Sequence, residues 1–504
     1  SSWNDSLIVD EIPHIGAGYS YLKKLDMRLN PEHPPLAKDL AALPLLFLNM
    51  SRQVFQTASW LTDINGQWEF GRSLIFGNGN DADQIKHLAR LPMLLFFVLT
   101  ALLVFRWTLE RYGDTGALIA LILFAFSPTV IAHSRFVTTD VPAMFGIMLA
   151  TYYFVRYLQK PTRRSMIIAA ITFGVALLTK FSTFLLVPSL TIVAIAYGVA
   201  KTSGHWKEKT AKGIAEGTAA ILIFIIGFTL IVWPLYYLQT VNYPPERQRS
   251  DTEFLLRPFT FRPLADTAIW MADKPVIRAA GHYALGLLMV GQRSEGGNTI
   301  YFLGEVRKYG GPLYFPIVYF LKEPFAWWIM VVIALITLAI RPGRADKKKG
   351  KAQPWIKEYL PEFAMLMWMA VYWGVSMDSH LNIGVRHLLP IYPFAIMLVS
   401  GRLAIFAKRI KTIGRAHLRD FTILIALLLG WYVFENVRVF PYYLTYFNQV
   451  AGGAENGHQY VTDSNLDWGQ DLLRLGDYMD EHGIKKISLD YFGGGSPRVT
   501  LGDR

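Results

Sequence analysis

The stretch "LARLPMLLFFVLTALLVFR", residues 88–106, decides the fold. Between Arg90 and Arg106 it carries no charge, and apolar side chains fall on every face of a helix rather than on one stripe. A helix of that length crosses about 30 Å of hydrocarbon. Comparable runs recur at 116–133, 138–156, 165–180, 181–200, 214–238, 324–340, 362–378, 388–405 and 420–438. The pattern predicts an α-helical polytopic membrane protein with about ten or eleven transmembrane helices.

Composition narrows the alternatives. The chain has no cysteine, which removes disulfides and thiolate metal sites. Its net charge of +12 comes from basic residues lying between the apolar runs, a pattern of membrane topology rather than of nucleic-acid binding. Lys and Arg crowd every second connection: Arg106 and Arg111, "RYLQKPTRR" ending at Arg164, "KTSGHWKEKTAK" from Lys201, "RPGRADKKKGK" from Arg341, and Lys408–Arg419. The positive-inside rule puts these in the cytoplasm and the alternate turns outside.

The outer side then receives a first loop (1–87), a long loop (239–323) and a tail (439–504), with membrane helices at 88–238 and 324–438. A chain that starts outside expects a preceding span, so a first helix is expected ahead of residue 1. "GGPLYFPIVYFLKEPFAWW", from Gly310, predicts an interfacial segment followed by a descending span. In the tail, "HQYVTDS" and "KKISLDYFGG" predict strands, and "DWGQDLLRLGDYMDEHG" predicts a helix closed by Gly483. The expectation is a small outer α/β domain, cut short at Arg504.

Chemistry gathers at the outer turns. "DEIPHIGAGYSYLKKLDMRLNPEHPPLAK" (10–38) opens on the carboxylate pair Asp10–Glu11 and continues through His14, Tyr19 and Tyr21. Pro34–Pro35 starts a short helix, "PLAKDLAALPLLFLN", expected to lie flat on the outer leaflet and hold His33 and Lys38 at headgroup depth. Arg135 and Asp140 share "HSRFVTTDVPA"; Lys180 stands alone in "ALLTKFSTF"; Arg386 and His387 share "HLNIGVRHLLPIYP". Cations on the face that topology disfavours need anionic partners. Together they suit a phosphorylated lipid headgroup. The tail adds a polar cluster of Asp463, Asn465, Asp467, Trp468 and Gln470, read either as a helix cap with a packed tryptophan or as an acceptor site.

These motifs resemble the glycosyltransferase C (GT-C) superfamily, in particular the protein O-mannosyltransferases and their bacterial relatives that attach aminoarabinose to lipid A. The resemblance is carried by Asp10–Glu11, Tyr19 and Tyr21, "EHPPLAK" (with Glu32 where mannosyltransferases usually have Asp), "SRFVTTD" and "GVALLTK", over about the first 190 residues. No segment resembles a β-trefoil domain, and no "WWDYG" signature is present.

The resemblance implies a membrane glycosyltransferase that moves a monosaccharide from a polyprenyl-phosphate donor to an acceptor at the outer face of the plasma membrane, with inversion. It implies a catalytic pair with Asp10 as general base and Glu11 beside it, either pairing with a cation such as Arg135 or sharing the acid–base work. His33, Arg135, Lys180 and Arg386 are the expected phosphate ligands. Asp140, expected to orient Arg135, is a supporting residue with Tyr19, Lys38 and His387. No cofactor is required, although Asp10, Glu11 and Asp140 have the chemistry to ligate Mg²⁺ or Mn²⁺. The acceptor is open among protein Ser/Thr, lipid A, teichoic acid and other polysaccharide. The alternative is a transporter or flippase for a lipid-linked sugar, which would place its polar groups near the bilayer midplane.

Overall fold

The computed structural model describes residues 3–77, 79–339 and 354–503. The basic segment from Arg341 lies outside them. Each expected apolar run is helical. Among the described residues, six helices are long and apolar enough to cross a membrane: Ala82–Tyr112, Asp140–Gln159, Phe181–Lys201, Trp206–Gln239, Val385–Ile413 and Arg415–Arg438. Two bent pairs raise the number to as many as 8, fewer than the ten or eleven expected. Arg163–Leu177 has only 15 residues, roughly 22 Å of helix, and Leu360–Asp378 carries Glu362 and Asp378 at its ends.

The bent pairs have local causes. Asp114–Ala125 and Pro128–Ser134 meet at 58°, where Ser127 caps the second helix and Pro128 cannot continue the first. Tyr314–Lys322 and Phe325–Leu338 meet at 110° across Glu323–Pro324, where the segment expected at the interface turns into the apolar helix that follows. Between neighbouring spans, small residues permit close approach. A Cβ on Gly174 would stand 2.5 Å from the Gly227 carbonyl oxygen, so a side chain there would force two helices apart.

The helices run between two chemically distinct ends. Asp140 opens the Asp140–Gln159 helix and Arg156 closes it; Arg386 opens Val385–Ile413 and Lys408 lies near its far end. A helix of 20 residues spans about 30 Å, so the basic clusters stand a membrane's thickness from the site residues.

The first loop forms a packed layer. Helix Glu11–Lys24 is buried from Glu11 through Tyr21. It packs on helices Leu36–Ala42 and Gln67–Phe76 through glycines: a Cβ on Gly16 would stand 2.9 Å from the Gly71 Cα. The helix expected over 35–49 is shorter. Pro44 lacks an N–H, and the chain tightens to a 3₁₀ turn at Leu43–Phe47.

The tail corrects a second expectation. Its helix is present at Leu472–Glu481, and Gly483 follows at φ +63°. The expected strands are absent among the described residues. Val461 makes one isolated bridge to Phe302, and 484–492 forms no ladder. Alternating side chains cannot make a strand without a partner edge, and the tail instead exchanges backbone hydrogen bonds with the N-terminal segment. Ser6 N donates to the Gln470 carbonyl at 2.8 Å, and Gly494 N to the Leu7 carbonyl at 3.0 Å. Among the described residues the one sheet is a two-stranded hairpin, Ile300–Phe302 with Glu305–Arg307.

Candidate functional site

Asp10 occupies the N-cap position of helix Glu11–Lys24 but makes no capping hydrogen bond. Its carboxylate turns to Arg386, whose Nη1 donates to Oδ2 at 2.8 Å. The same Nη1 reaches Asp140 Oδ2 at 3.3 Å, and Asp140 Oδ1 accepts from Lys180 Nζ at 2.6 Å. Four residues from four separate segments therefore form one chain of alternating charge: Asp10, Arg386, Asp140, Lys180.

Exposure separates their roles. Asp140 is 1% exposed and Arg386 8%, whereas Lys180 keeps 12% and Asp10 25%. The buried carboxylate holds two cations in place, and the half-open carboxylate at the end faces solvent. Lys180 uses one of its three N–H donors on Asp140, and Arg386 Nε has no partner among the described residues. Both cations keep donor capacity for an anion.

Histidines line the same place. His14 lies one turn after Asp10, on the same helix face, and its Nδ1 pairs with the Val137 carbonyl at 2.8 Å. Its ring meets His33 edge-on at 5.0 Å. Burial holds both below the usual imidazole range, His33 well below it, with His14, Lys38, Lys180 and Arg293 adding to the effect on His33. His33 therefore stands in the site as a neutral hydrogen-bonding group, not as the cation expected. His387 Nε2 is buried without a hydrogen-bond partner among the described residues, within electrostatic reach of Lys180, Arg386, Asp140 and Arg293.

Arg293 had no motif to mark it. It lies on helix Arg278–Gly296 of the long loop, exposed and in no ion pair among the described residues. That helix packs by Tyr283 on Phe181, beside Lys180 (ring centroids 5.1 Å), and accepts at the Ser294 carbonyl from His380 N at 3.2 Å. It thus bridges the Lys180 turn and the turn leading to Arg386. Only the packing of the loop brings this cation to the site.

Several expected partners are different. Glu11 is fully buried and pairs with Arg90, not Arg135: Arg90 Nε to Oε1 at 2.8 Å and Nη2 to Oε2 at 2.6 Å. Ile8 N and Val137 N, each at 3.0 Å, also donate to Glu11. With four donors bound, Glu11 fixes the first loop to the Ala82–Tyr112 helix and to the 135–139 turn. Arg135 is 3% exposed, pairs with Asp5 at 2.7 Å and lies over the Phe136 ring. It has no free face for a phosphate, and Asp140 orients Lys180 and Arg386 instead.

Lys38 is buried inside the protein rather than presented at its surface. Its Nζ donates to Tyr21 Oη at 2.8 Å, to the Asn30 carbonyl at 2.8 Å and to the His33 carbonyl at 2.6 Å, which folds the loop that carries His33. Burial pushes its ammonium down to about 7. Tyr19 is 1% exposed and packs near Phe55. In the tail, Asn465 and Gln470 are buried structural groups: Asn465 Oδ1 accepts from Val385 N at 2.8 Å, and Gln470 Oε1 from Trp468 N at 2.8 Å. Asp467 is exposed and accepts from Gly469 N at 2.9 Å. Trp468 lies under the Arg386 guanidinium at 4.1 Å. Asp463 is the tail carboxylate that remains part-exposed near the site; burial raises it, Arg386 opposes the rise, and Asp10 adds to it. Among the described residues, no group of three or more His, Asp or Glu side chains is placed to hold a metal ion.

This architecture is that of a polytopic helical membrane protein with a GT-C fold. Residues 75–233 match the family model described as dolichyl-phosphate-mannose-protein mannosyltransferase. No curated protein matches it in sequence. It is similar to the S. cerevisiae protein O-mannosyltransferase Pmt1–Pmt2 complex bound to the sugar donor, at 14% identity and TM-score 0.58, covering 87% of each chain. It also aligns with the Archaeoglobus fulgidus oligosaccharyltransferase, at 13% identity and TM-score 0.47, over 98% of this chain and 55% of that one. ArnT from Cupriavidus metallidurans bound to undecaprenyl phosphate aligns at 16% identity and TM-score 0.29, over 81% and 76%.

Proposed function

We propose that this protein is an inverting glycosyltransferase that moves one sugar from a polyprenyl-phosphate donor to an acceptor hydroxyl on the extracytoplasmic face of the plasma membrane. The observation that carries it is the half-open Asp10 carboxylate at the end of a chain of fixed cations, beside a mannosyltransferase-type membrane module.

In the reaction, Asp10 takes the proton of the acceptor hydroxyl. The acceptor oxygen bonds to the anomeric carbon as the bond from that carbon to the phosphate oxygen breaks. The electron pair leaves on the polyprenyl phosphate. Lys180, Arg386 and Arg293 stabilise that growing charge, and the imidazoles of His33 and His387 offer N–H donors. Helix Glu11–Lys24 places the positive end of its dipole at Asp10. The charged groups stand at helix ends and turns, which favours surface chemistry over passage through the bilayer.

The test is to incubate membranes with radiolabelled polyprenyl-phosphate sugars and record which is consumed. Asp10→Asn should abolish turnover and leave donor binding within about threefold. Full activity in that variant removes Asp10 as the base; no consumption of any donor, with movement of a labelled lipid across the membrane, supports the transporter.

A further inference from the structure

The tail meets the two ends of the Asp10–Arg386 pair at one residue. The Trp468 carbonyl accepts from Val9 N at 3.4 Å, on the residue before Asp10, and the Trp468 ring lies 4.1 Å beneath the Arg386 guanidinium. Trp468 itself is held firmly. His133 and Phe136 pack edge-on against its ring, at 6.0 Å and 6.3 Å, and it joins a core with Ile8, Ala132 and Leu444.

Neighbouring tail residues hold the same two segments. On one side, Ser6 N donates to Gln470, Leu473 N donates to Ser6 Oγ at 2.8 Å, and Asp5 pairs with Arg474 at 2.5 Å. On the other, Asn465 Oδ1 receives Val385 N, and Ser464 Oγ donates to the Ile383 carbonyl. Residues 464–474 thus tie the segment leading into Asp10 to the turn carrying Arg386.

We propose that Trp468 is a positioning residue that sets the spacing of Asp10 and Arg386, and that the tail is part of the active site rather than an acceptor-binding appendage. This rests on the assignment of Asp10 as base. A base acts only when its oxygen stands within hydrogen-bond reach of the acceptor proton, and about 1 Å of misplacement costs about a hundredfold in rate. A flat aromatic ring suits the task. It stacks on a planar guanidinium without using any of its N–H donors, so Arg386 keeps them for both carboxylates and for the departing phosphate.

The test uses full-length protein in membranes, with the radiolabelled polyprenyl-phosphate sugar that the unmodified protein consumes. Trp468→Leu should lower kcat about ten- to a hundredfold while donor KM moves less than about threefold. Trp468→Phe, which keeps a ring under the guanidinium, should recover kcat to within about threefold of the unmodified protein. Thermal unfolding of both variants checks that they fold. If Trp468→Leu does not fold, the Trp468→Phe and Asn465→Ala variants take over. Asn465→Ala releases Val385 and should reproduce the kcat loss at nearly constant KM. Unmodified kcat in Trp468→Leu or, in its place, Asn465→Ala, equal damage in the leucine and phenylalanine variants, or a change confined to KM would each overturn the proposal. An active Asp10→Asn protein would overturn the base assignment instead; an inactive one beside a normal Trp468→Leu protein would overturn the positioning role alone.

Discussion

Arg386 Nη1 and Asp10 Oδ2 lie 2.8 Å apart although 376 positions separate them in the chain. The same guanidinium nitrogen touches Asp140, so one arginine joins the half-open carboxylate to the buried one. Removing it would free Asp10 and leave Asp140 with Lys180 alone. Arg386→Ala is expected to lower turnover by about a hundredfold or more. Arg386→Lys should recover little, because an ammonium lacks the planar fork that bridges two carboxylates and stacks on Trp468. Steady-state kinetics of the two variants decide this, and near-normal rates in the lysine form would contradict it.

Glu11 and Asp10 are adjacent but differ in consequence. Glu11→Gln removes the carboxylate charge that pairs with buried Arg90, and breaking a buried pair costs on the order of 3–5 kcal/mol of stability. Thermal unfolding in detergent should show a large drop, with kcat per folded molecule largely retained. A glutamine variant that unfolds normally but has no activity would instead give Glu11 a part in the chemistry.

Among the cations, Lys180→Ala and Arg293→Ala should each weaken donor binding by about tenfold or more, as expected for one charge-assisted contact to a phosphate. Arg293 is exposed, so its loss should leave thermal stability unchanged. Arg135→Met should do the reverse, losing stability through Asp5 while donor affinity holds. Binding isotherms for one labelled polyprenyl-phosphate sugar separate the three.

A pH dependence follows from Lys38. Burial pushes its ammonium from an unfolded value of 10.5 to about 7, so between those values the unfolded chain holds the extra proton. Stability from this group therefore rises with pH across about 7 to 10.5 and is lowest below 7. The thermal midpoint of the unmodified protein should climb relative to that of Lys38→Met over this window. A constant difference between them would show that Lys38 is not buried as an amine.

Much of this was legible in the residues. The apolar runs located the helices because a bilayer demands length and apolarity that sequence alone displays. The turn motifs carried Asp10, Asp140, Lys180 and Arg386. Lys38 and Lys180 look alike in sequence, each a lone lysine near apolar neighbours. Folding buries the first among carbonyls and leaves the second beside Asp140 with spare donors.

The partners were not legible. Glu11 could have paired with Arg135 or Arg90, and Arg293 stands in no motif at all. The tail's alternating residues read as strands but form none, and residues 468–474 with Gly494 clasp residues 5–9 instead.

What the sequence determined by itself was where the apolar helices run, the turns that bear charge and the kind of chemistry those turns suit. These depend on local length, hydropathy and residue type. What only the tertiary structure decided was which cation answers which carboxylate, and which of them keeps a face open to a ligand. Ion pairing is set by distances of a few ångströms between segments hundreds of residues apart, and those distances exist only once the helices have packed.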